Sequence, residues 1–346
     1  MTAAAPALVA ALLAQSGPEL PGTALRWRVA TPFDGQDVAE LESWWRARAA
    51  ALGAEAQMAR VVLPGEEELA AGTLLLGYER GLLDELEARG ALAAAPVTFA
   101  WQSWAPCWAL GGDPDAPEID SFEKLLDPAL QGHVHLRSVT RESPEGLLLG
   151  ELARRLDLVG ERELPRLVLA SYDAGTIRGA TTSIDAFLRT LPAGAATIAP
   201  VRAAARARRT GLRVSWSLPR EGFLALELAA AATKGTDAPL RRWFEERFAS
   251  AVAPELAASL ELEPTGALPG AAPEWMRLVE SRRTGIDRDA AERLRVRLAR
   301  LYDAAPPRGA LPDPGGILDF VDTLLLTAAV VAVLLLWRRE RRRGAA

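Results

Sequence analysis

Cysteine is almost absent from this chain of 346 residues: Cys107 stands alone. No intrachain disulfide can therefore form, and no cysteine cluster can hold a metal. Cys107 also lies far from the N-terminus, so the opening residues carry no cysteine for lipid attachment. Histidine is nearly as scarce. His133 and His135 are two apart and would share one face of a strand, but with no third ligand nearby they read as a polar sheet face rather than a metal site. The patterns G-x-S-x-G, H-E-x-x-H and G-x-G-x-x-G are missing, so no catalytic residues, metal or cofactor are expected and the chain does not read as an enzyme. The phosphate loop G-x-x-x-x-G-K-[ST] is missing too, which removes any built-in ATP motor. There is no asparagine, and Lys124 and Lys234 are the only lysines. A net charge of -5 with no basic face ahead of the tail argues against a nucleic-acid partner.

What the chain has in quantity is apolar sequence, 49% of all residues, enough for a large core that divides most simply into two lobes. Its end, "TLLLTAAVVAVLLLWRRERRRGAA", holds no charge from Thr323 to Trp337. Crossing the hydrocarbon core takes about 20 residues. A transmembrane helix is expected over 317–337, with Asp319 and Asp322 near the interface and Trp337 as an anchor. The arginines of the basic tail, 338–346, place that end in the cytoplasm by the positive-inside bias. The remainder is then extracytoplasmic and needs an export signal. "APALVAALLAQSG" supplies an apolar stretch with small residues at Ala14-Gln15-Ser16, so 1–16 is expected to be a signal peptide, although no basic residue precedes it. "LPDPG" ahead of the span is similar to a cell-wall sorting signal, but Pro314 stands where that signal has threonine, so a plain anchor is expected.

Between these ends, strands alternate with amphipathic helices. "LRWRVA", "ARVVL", "TLLLG", "HVHLRS", "ATIA" and "LRVSWSL" read as strands, and "LALELAAAA" fits strand or helix. Asp37 with Glu40 resembles a capping box, followed by Val38, Leu41, Trp45 and Leu52 on one helical face. Helices are expected from about Arg80 to a stop at Gly90, over Glu145–Leu156, and from Ser183 to Leu191. After Asp237 the character turns helical: Pro239–Ser250, Pro254–Leu260, Glu274–Ser281 and Arg288–Asp303. This rhythm predicts an α/β fold with parallel strands.

The order of four segments resembles the extracellular solute-binding proteins of ABC transporters, in the cluster that takes up iron, polyamines or oxyanions. "TLLLGYERGLLDELEARGAL" is similar to that family's strand, ligand loop and helix, and "SFEKLLDPALQGHVHL" to the segment opening its second lobe. "SIDAFLRTLPAGAATIAP" and "VSWSLPREG" follow in the family's order. The resemblance implies a two-lobed periplasmic-binding-protein-like fold with a cleft between the lobes. Lobe one would be 25–104 and 221–303 and lobe two 105–218, followed by a Pro/Gly linker over 304–316. It further implies a small-molecule or ion ligand, and ABC permease and ATPase subunits as partners. A ligand-sensing or accessory membrane protein that keeps the fold without transport is the alternative.

In such a fold the ligand meets loops at strand ends and helix N-termini. On that basis the candidate contacts are Asp34, Tyr78, Glu79, Trp104, Thr140, Ser143, Arg178, Thr182, Trp216 and Glu221. Two readings of the ligand's charge stay open. Trp101, Trp104 and Trp108 near the carboxylates suit an amine through cation–π attraction, whereas Arg137, Arg141 and Arg178 suit an anion. Iron fits poorly, because Tyr78, Tyr172 and Tyr302 are the only tyrosines and no two are adjacent.

Overall fold

Long apolar runs at positions 73–79 and 223–232 leave few polar side chains for solvent, and both become strands covered on their two faces. The computed structural model describes residues 25–51, 54–61, 64–70, 72–110, 119–130, 133–137, 144–158, 168, 183–266, 268 and 272–304. Its strands are β1 (Leu25–Thr31), β2 (Ala54–Arg60), β3 (Thr73–Glu79), β4 (Val97–Ala109), β5 (Ala196–Pro200), β6 (Val214–Trp216), β7 (Phe223–Ala232), β8 (Glu263–Pro264) and β9 (Arg283–Thr284). They form one sheet in the order β2-β1-β3-β7-β4-β5, with β6 and β8 added to β4 and β9 to β7.

The sheet is mixed, which corrects the expectation of parallel strands. β1 runs parallel to β2 and β3, but β7 lies antiparallel to both β3 and β4, and β4 is antiparallel to β5 and β6. The reason is the returning strand: β7 comes back between β3 and β4 rather than extending a βαβ series. β4 has 13 residues, about 43 Å at strand rise. It pairs with β7 from Val97 to Trp104, then with β5 from Trp104 to Trp108. One strand thus serves as backbone to both halves of the sheet, changing partner at Trp104.

The helices are α1 (Gly35–Ala51), α2 (Glu66–Ala70), α3 (Arg80–Ala88), α4 (Pro144–Arg155), α5 (Ile184–Thr190), α6 (Val201–Arg209), α7 (Ala238–Trp243), α8 (Ala253–Ser259), α9 (Glu274–Arg282) and α10 (Arg288–Ala304). Between α7 and α8 the chain stays helical in a π register, Phe244–Val252, where two separate helices were expected. Pro254 has no amide proton to continue the α ladder, and the N–H of Ala253 reaches back to Phe248 instead.

Apolar clusters lie on both halves of the sheet, within the one compact unit 1–300. In the first, Trp27, Leu41, Trp45, Leu74, Phe99 and Phe248 close β1, β3, β4 and β7 against α1, α7 and α8. Trp27, Trp45 and Trp243 meet with ring centroids 5.1–5.7 Å apart. Such pairs are worth about 0.5–1.5 kcal/mol beyond the area they bury. In the second half, Cys107, Ile184, Phe187, Ala203, Ala204 and Val214 join β4 and β6 to α5 and α6.

Three local expectations shift. The second strand is Ala54–Arg60 rather than "ARVVL", because it is an edge strand whose Ala54, Ala56 and Met58 alone turn toward the core. "HVHLRS" yields a single parallel bridge, Val134 to Ala196, rather than a strand. Asp37 does not cap α1; it lies buried within that helix. "LALELAAAA" resolves as strand β7.

By backbone contacts the chain divides into 1–300 and 301–346. The expected signal peptide 1–16, the linker beyond Ala304, the span 317–337 and the tail 338–346 lie outside the described residues. Among the described residues no helix is long and apolar enough to cross a membrane.

Candidate functional site

The loop from β1 into α1 carries the first candidate. Gly35 has φ +55, and a Cβ there would stand 2.8 Å from the Cβ of Ser183. Glycine therefore lets the loop lie directly against the start of α5, where Ser183 caps the helix by accepting from the N–H of Ala186. Asp34, buried in this loop, pairs with Arg137 and, at 3.5 Å, with Arg60. It also accepts from the N–H of Ile184 at 3.4 Å. Arg137 bonds in turn to Glu145 at the start of α4, Nε to Oε1 at 2.7 Å. Burial opposes the charge on Arg137, but Glu145 and Asp34 outweigh it and hold its pKa above the ordinary value. Asp34 thus faces the second half, engaged by that half's own cation and amide.

One turn further along α1 sits a denser cluster. Asp37 accepts from Arg202 Nη1 and Nη2 at 2.7 and 2.6 Å and from Arg206 Nη1 at 2.8 Å. Arg206 also donates to Asp185 of α5 at 2.7 Å. Burial alone would raise the Asp37 pKa; the two guanidinium groups overcome it and hold the carboxyl below its usual range. Asp37 belongs to the first half and both arginines to α6 of the second, so this buried network ties the halves together. No short-range pattern signals it. The only hint is Arg202 and Arg206 spaced i, i+4 in the alanine-rich run "VRAAARARR".

The remaining candidates serve the structure around them. Glu79 caps α3, accepting from the N–H groups of Gly81 and Leu82 at 3.0 and 3.1 Å, and it pairs with Arg288. The Tyr78 hydroxyl donates to the carbonyl of Val61 at 2.7 Å, and burial with Glu68 pushes its pKa up. Glu221 accepts from the N–H groups of Phe122 and Glu123 at 3.2 and 3.3 Å, at the start of the 3-10 turn Glu123–Leu126. Trp104 is buried where β4 changes partner, and its Nε1 has no hydrogen-bond partner among the described residues. Trp216 is half-buried with its ring 6.2 Å from Phe223. Of the other tryptophans, Trp108 is buried, and Trp101 carries the Arg283 guanidinium 4.6 Å above its ring. The aromatic residues are therefore packed apart instead of lining one cage. Thr140, Ser143, Arg178 and Thr182 lie outside the described residues. Among the described residues no group of three or more His, Cys, Asp or Glu is placed to hold a metal.

Sequence reading also passed over Glu263 on β8. Its carboxylate accepts from the N–H and hydroxyl of Ser103 at 3.0 and 2.6 Å, one residue before the partner switch. Arg283 lies 3.7 Å away. Burial dominates and pushes the carboxyl up to about 7.

No protein-family model matches the sequence, and no curated protein sequence matches it. Solved structures do. AfuA, a periplasmic binding protein from Actinobacillus pleuropneumoniae with fructose-6-phosphate bound, superposes with a TM-score of 0.59 at 14% identity, over 82% of this chain and 100% of its own. Iron-bound HitA from Pseudomonas aeruginosa gives 0.58 at 12% identity, over 81% and 98%. A periplasmic thiamin-binding protein gives 0.57 at 15% identity, over 82% and 98%. The mixed α/β sheet with its flanking helices is the periplasmic-binding-protein fold.

Proposed function

We propose that this chain is an extracytoplasmic solute-binding protein of an ABC importer, held to the membrane by a helix over 317–337 with its C-terminus in the cytoplasm. The observation that carries the proposal is the fold itself, in which the β1–α1 loop of one half faces the start of α5 in the other. Its structural neighbours include proteins named for iron, fructose-6-phosphate and thiamin. The ligand would enter between the halves, near Asp34 and the start of α5 at Ile184. Binding without chemical conversion is the expected activity. A flexible linker over 304–316 would reach about 20 Å by random-coil scaling, so delivery would be to a neighbouring permease.

A second reading has a specific observation in its favour. Asp34, Glu79 and Glu221 are all engaged by the chain's own donors, which suits a sensing or accessory membrane protein that kept the fold without transport. Thermal unfolding of the full chain in detergent, screened against polyamines, ferric iron, sugar phosphates and thiamin, tests whether the fold captures a solute. A ligand at about 100 times its Kd adds about 2.7 kcal/mol, several degrees in Tm. A rise with one ligand class supports capture; a flat response across all of them rejects it.

A further inference from the structure

Arg202 is bound the way a protein binds a foreign guanidinium ion. Its two η nitrogens grip both oxygens of Asp37 at 2.7 and 2.6 Å. Nη1 also donates to the carbonyl of Leu260 at 3.2 Å. In the amide orientation these donors require, the oxygen of Gln102 accepts from Nη2 at 3.0 Å and from Nε at 3.2 Å. A guanidinium has five N–H groups, and each finds an acceptor here. The Phe33 ring lies beneath, its centroid 5.6 Å from Cζ. Arg202 is only 4% exposed.

The ownership of these groups is what carries the argument. Phe33, Asp37, Gln102 and Leu260 sit on the β1–α1 loop, α1, β4 and the end of α8, in the first half or on its supporting helices. Arg202 comes from the second half, on α6, whose neighbouring Ala203 and Ala204 belong to the second core. Arg206 of the same helix shares Asp37 Oδ1 through its Nη1 at 2.8 Å. An arginine that only neutralised a buried carboxylate would not need an amide oxygen, a main-chain carbonyl and an aromatic face aimed at it as well. Bidentate carboxylate and a stacked ring are what recognition of arginine by shape requires.

We infer that the first half carries a guanidinium receptor formed by Phe33, Asp37, Gln102 and the Leu260 carbonyl, and that Arg202 is its intramolecular ligand. The class of external molecule this receptor accepts is a small alkylguanidinium compound, which takes the place of Arg202 when that side chain is withdrawn. The inference rests on the geometry around Arg202 and not on solute import, so it can hold or fail independently of the proposal above.

Removing the side chain beyond Cβ tests it. In the full-length Arg202→Ala protein, ethylguanidinium at millimolar concentration should refill the receptor and raise Tm by about 2 °C at tenfold its Kd. It should leave the wild type unmoved. Ethylammonium, which carries charge without the planar fork, should give no comparable rise. The Arg202→Ala protein carrying Asp37→Asn as well should lose the response. Should Arg202→Ala fail to fold unaided, its refolding yield with and without ethylguanidinium reads the same rescue. Equal effects of ethylguanidinium and ethylammonium, or equal effects on wild type and Arg202→Ala, overturn the receptor. A rise confined to Arg202→Ala and abolished by Asp37→Asn establishes it, even if no solute in the import screen binds.

Discussion

At the scale of single residues, buried charge is where this protein departs most from what its sequence suggests. Asp37 looks like a cap and is instead the anion of a network with two arginines, the nearer of them 165 positions away. Breaking such a buried pair costs about 3–5 kcal/mol, because the surviving charge stays desolvated. Asp37→Asn should therefore lower the unfolding free energy by about that amount, read from urea titration at neutral pH. The pKa of Asp37 is depressed in the folded state, so its contribution is present above the ordinary value of 3.8 and is lost as pH falls through the lower folded value. Glu263 has the opposite sign. Its folded pKa of about 7 lies above the ordinary 4.5, so its stabilising term is complete below 4.5 and is lost as pH rises through 7. The loss is about 3 kcal/mol by linkage. Glu263→Gln keeps an acceptor and a donor for Ser103, and it should flatten the urea midpoint between pH 4.5 and 8. A midpoint that keeps falling in the variant would remove Glu263 as the cause.

At the scale of elements, legibility followed burial. "TLLLG" and the helix ending at Gly90 could be read because an unbroken apolar run and a left-handed stop are local signals; the helix is Arg80–Ala88, and Gly90 has φ +68. The edge strand β2 was misplaced because its buried face is made of alanine and methionine at every second position, a weaker signal than the valines and leucine beyond it. The direction of β7 was not readable at all, since nothing within a strand says which neighbour it will pair with. Gly77 shows how one element constrains another. It sits at the register shift of β3 with φ +81, and an added Cβ would lie 2.6 Å from the ring of Phe33. Gly77→Ala should cost about 1–3 kcal/mol from backbone strain alone. It should also displace the Phe33 ring that lies under Arg202, which a thermal melt and the Arg202 NMR side-chain signals would register together.

At the scale of the whole molecule, the fold class was legible through the order of its segments, whereas the candidate site rested on loop positions alone. The β1–α1 loop was a candidate by position alone, and Asp34 in it meets Arg137 and the N–H of Ile184. Its partners were not found, because they depend on how distant helices meet. Topology across the membrane is a prediction of the arginine-rich end. In spheroplasts, stripped of wall and any outer membrane, an added protease should digest the 25–303 portion and leave a short membrane-bound fragment ending in the basic tail. Full protection of the bulk would place it on the cytoplasmic side and end the import reading.

The thirteen-residue strand shared by both sides has a corollary for dissecting the molecule. Neither side can be excised as an independent piece, since severing β4 at Trp104 would expose raw sheet edges on both fragments and invite aggregation.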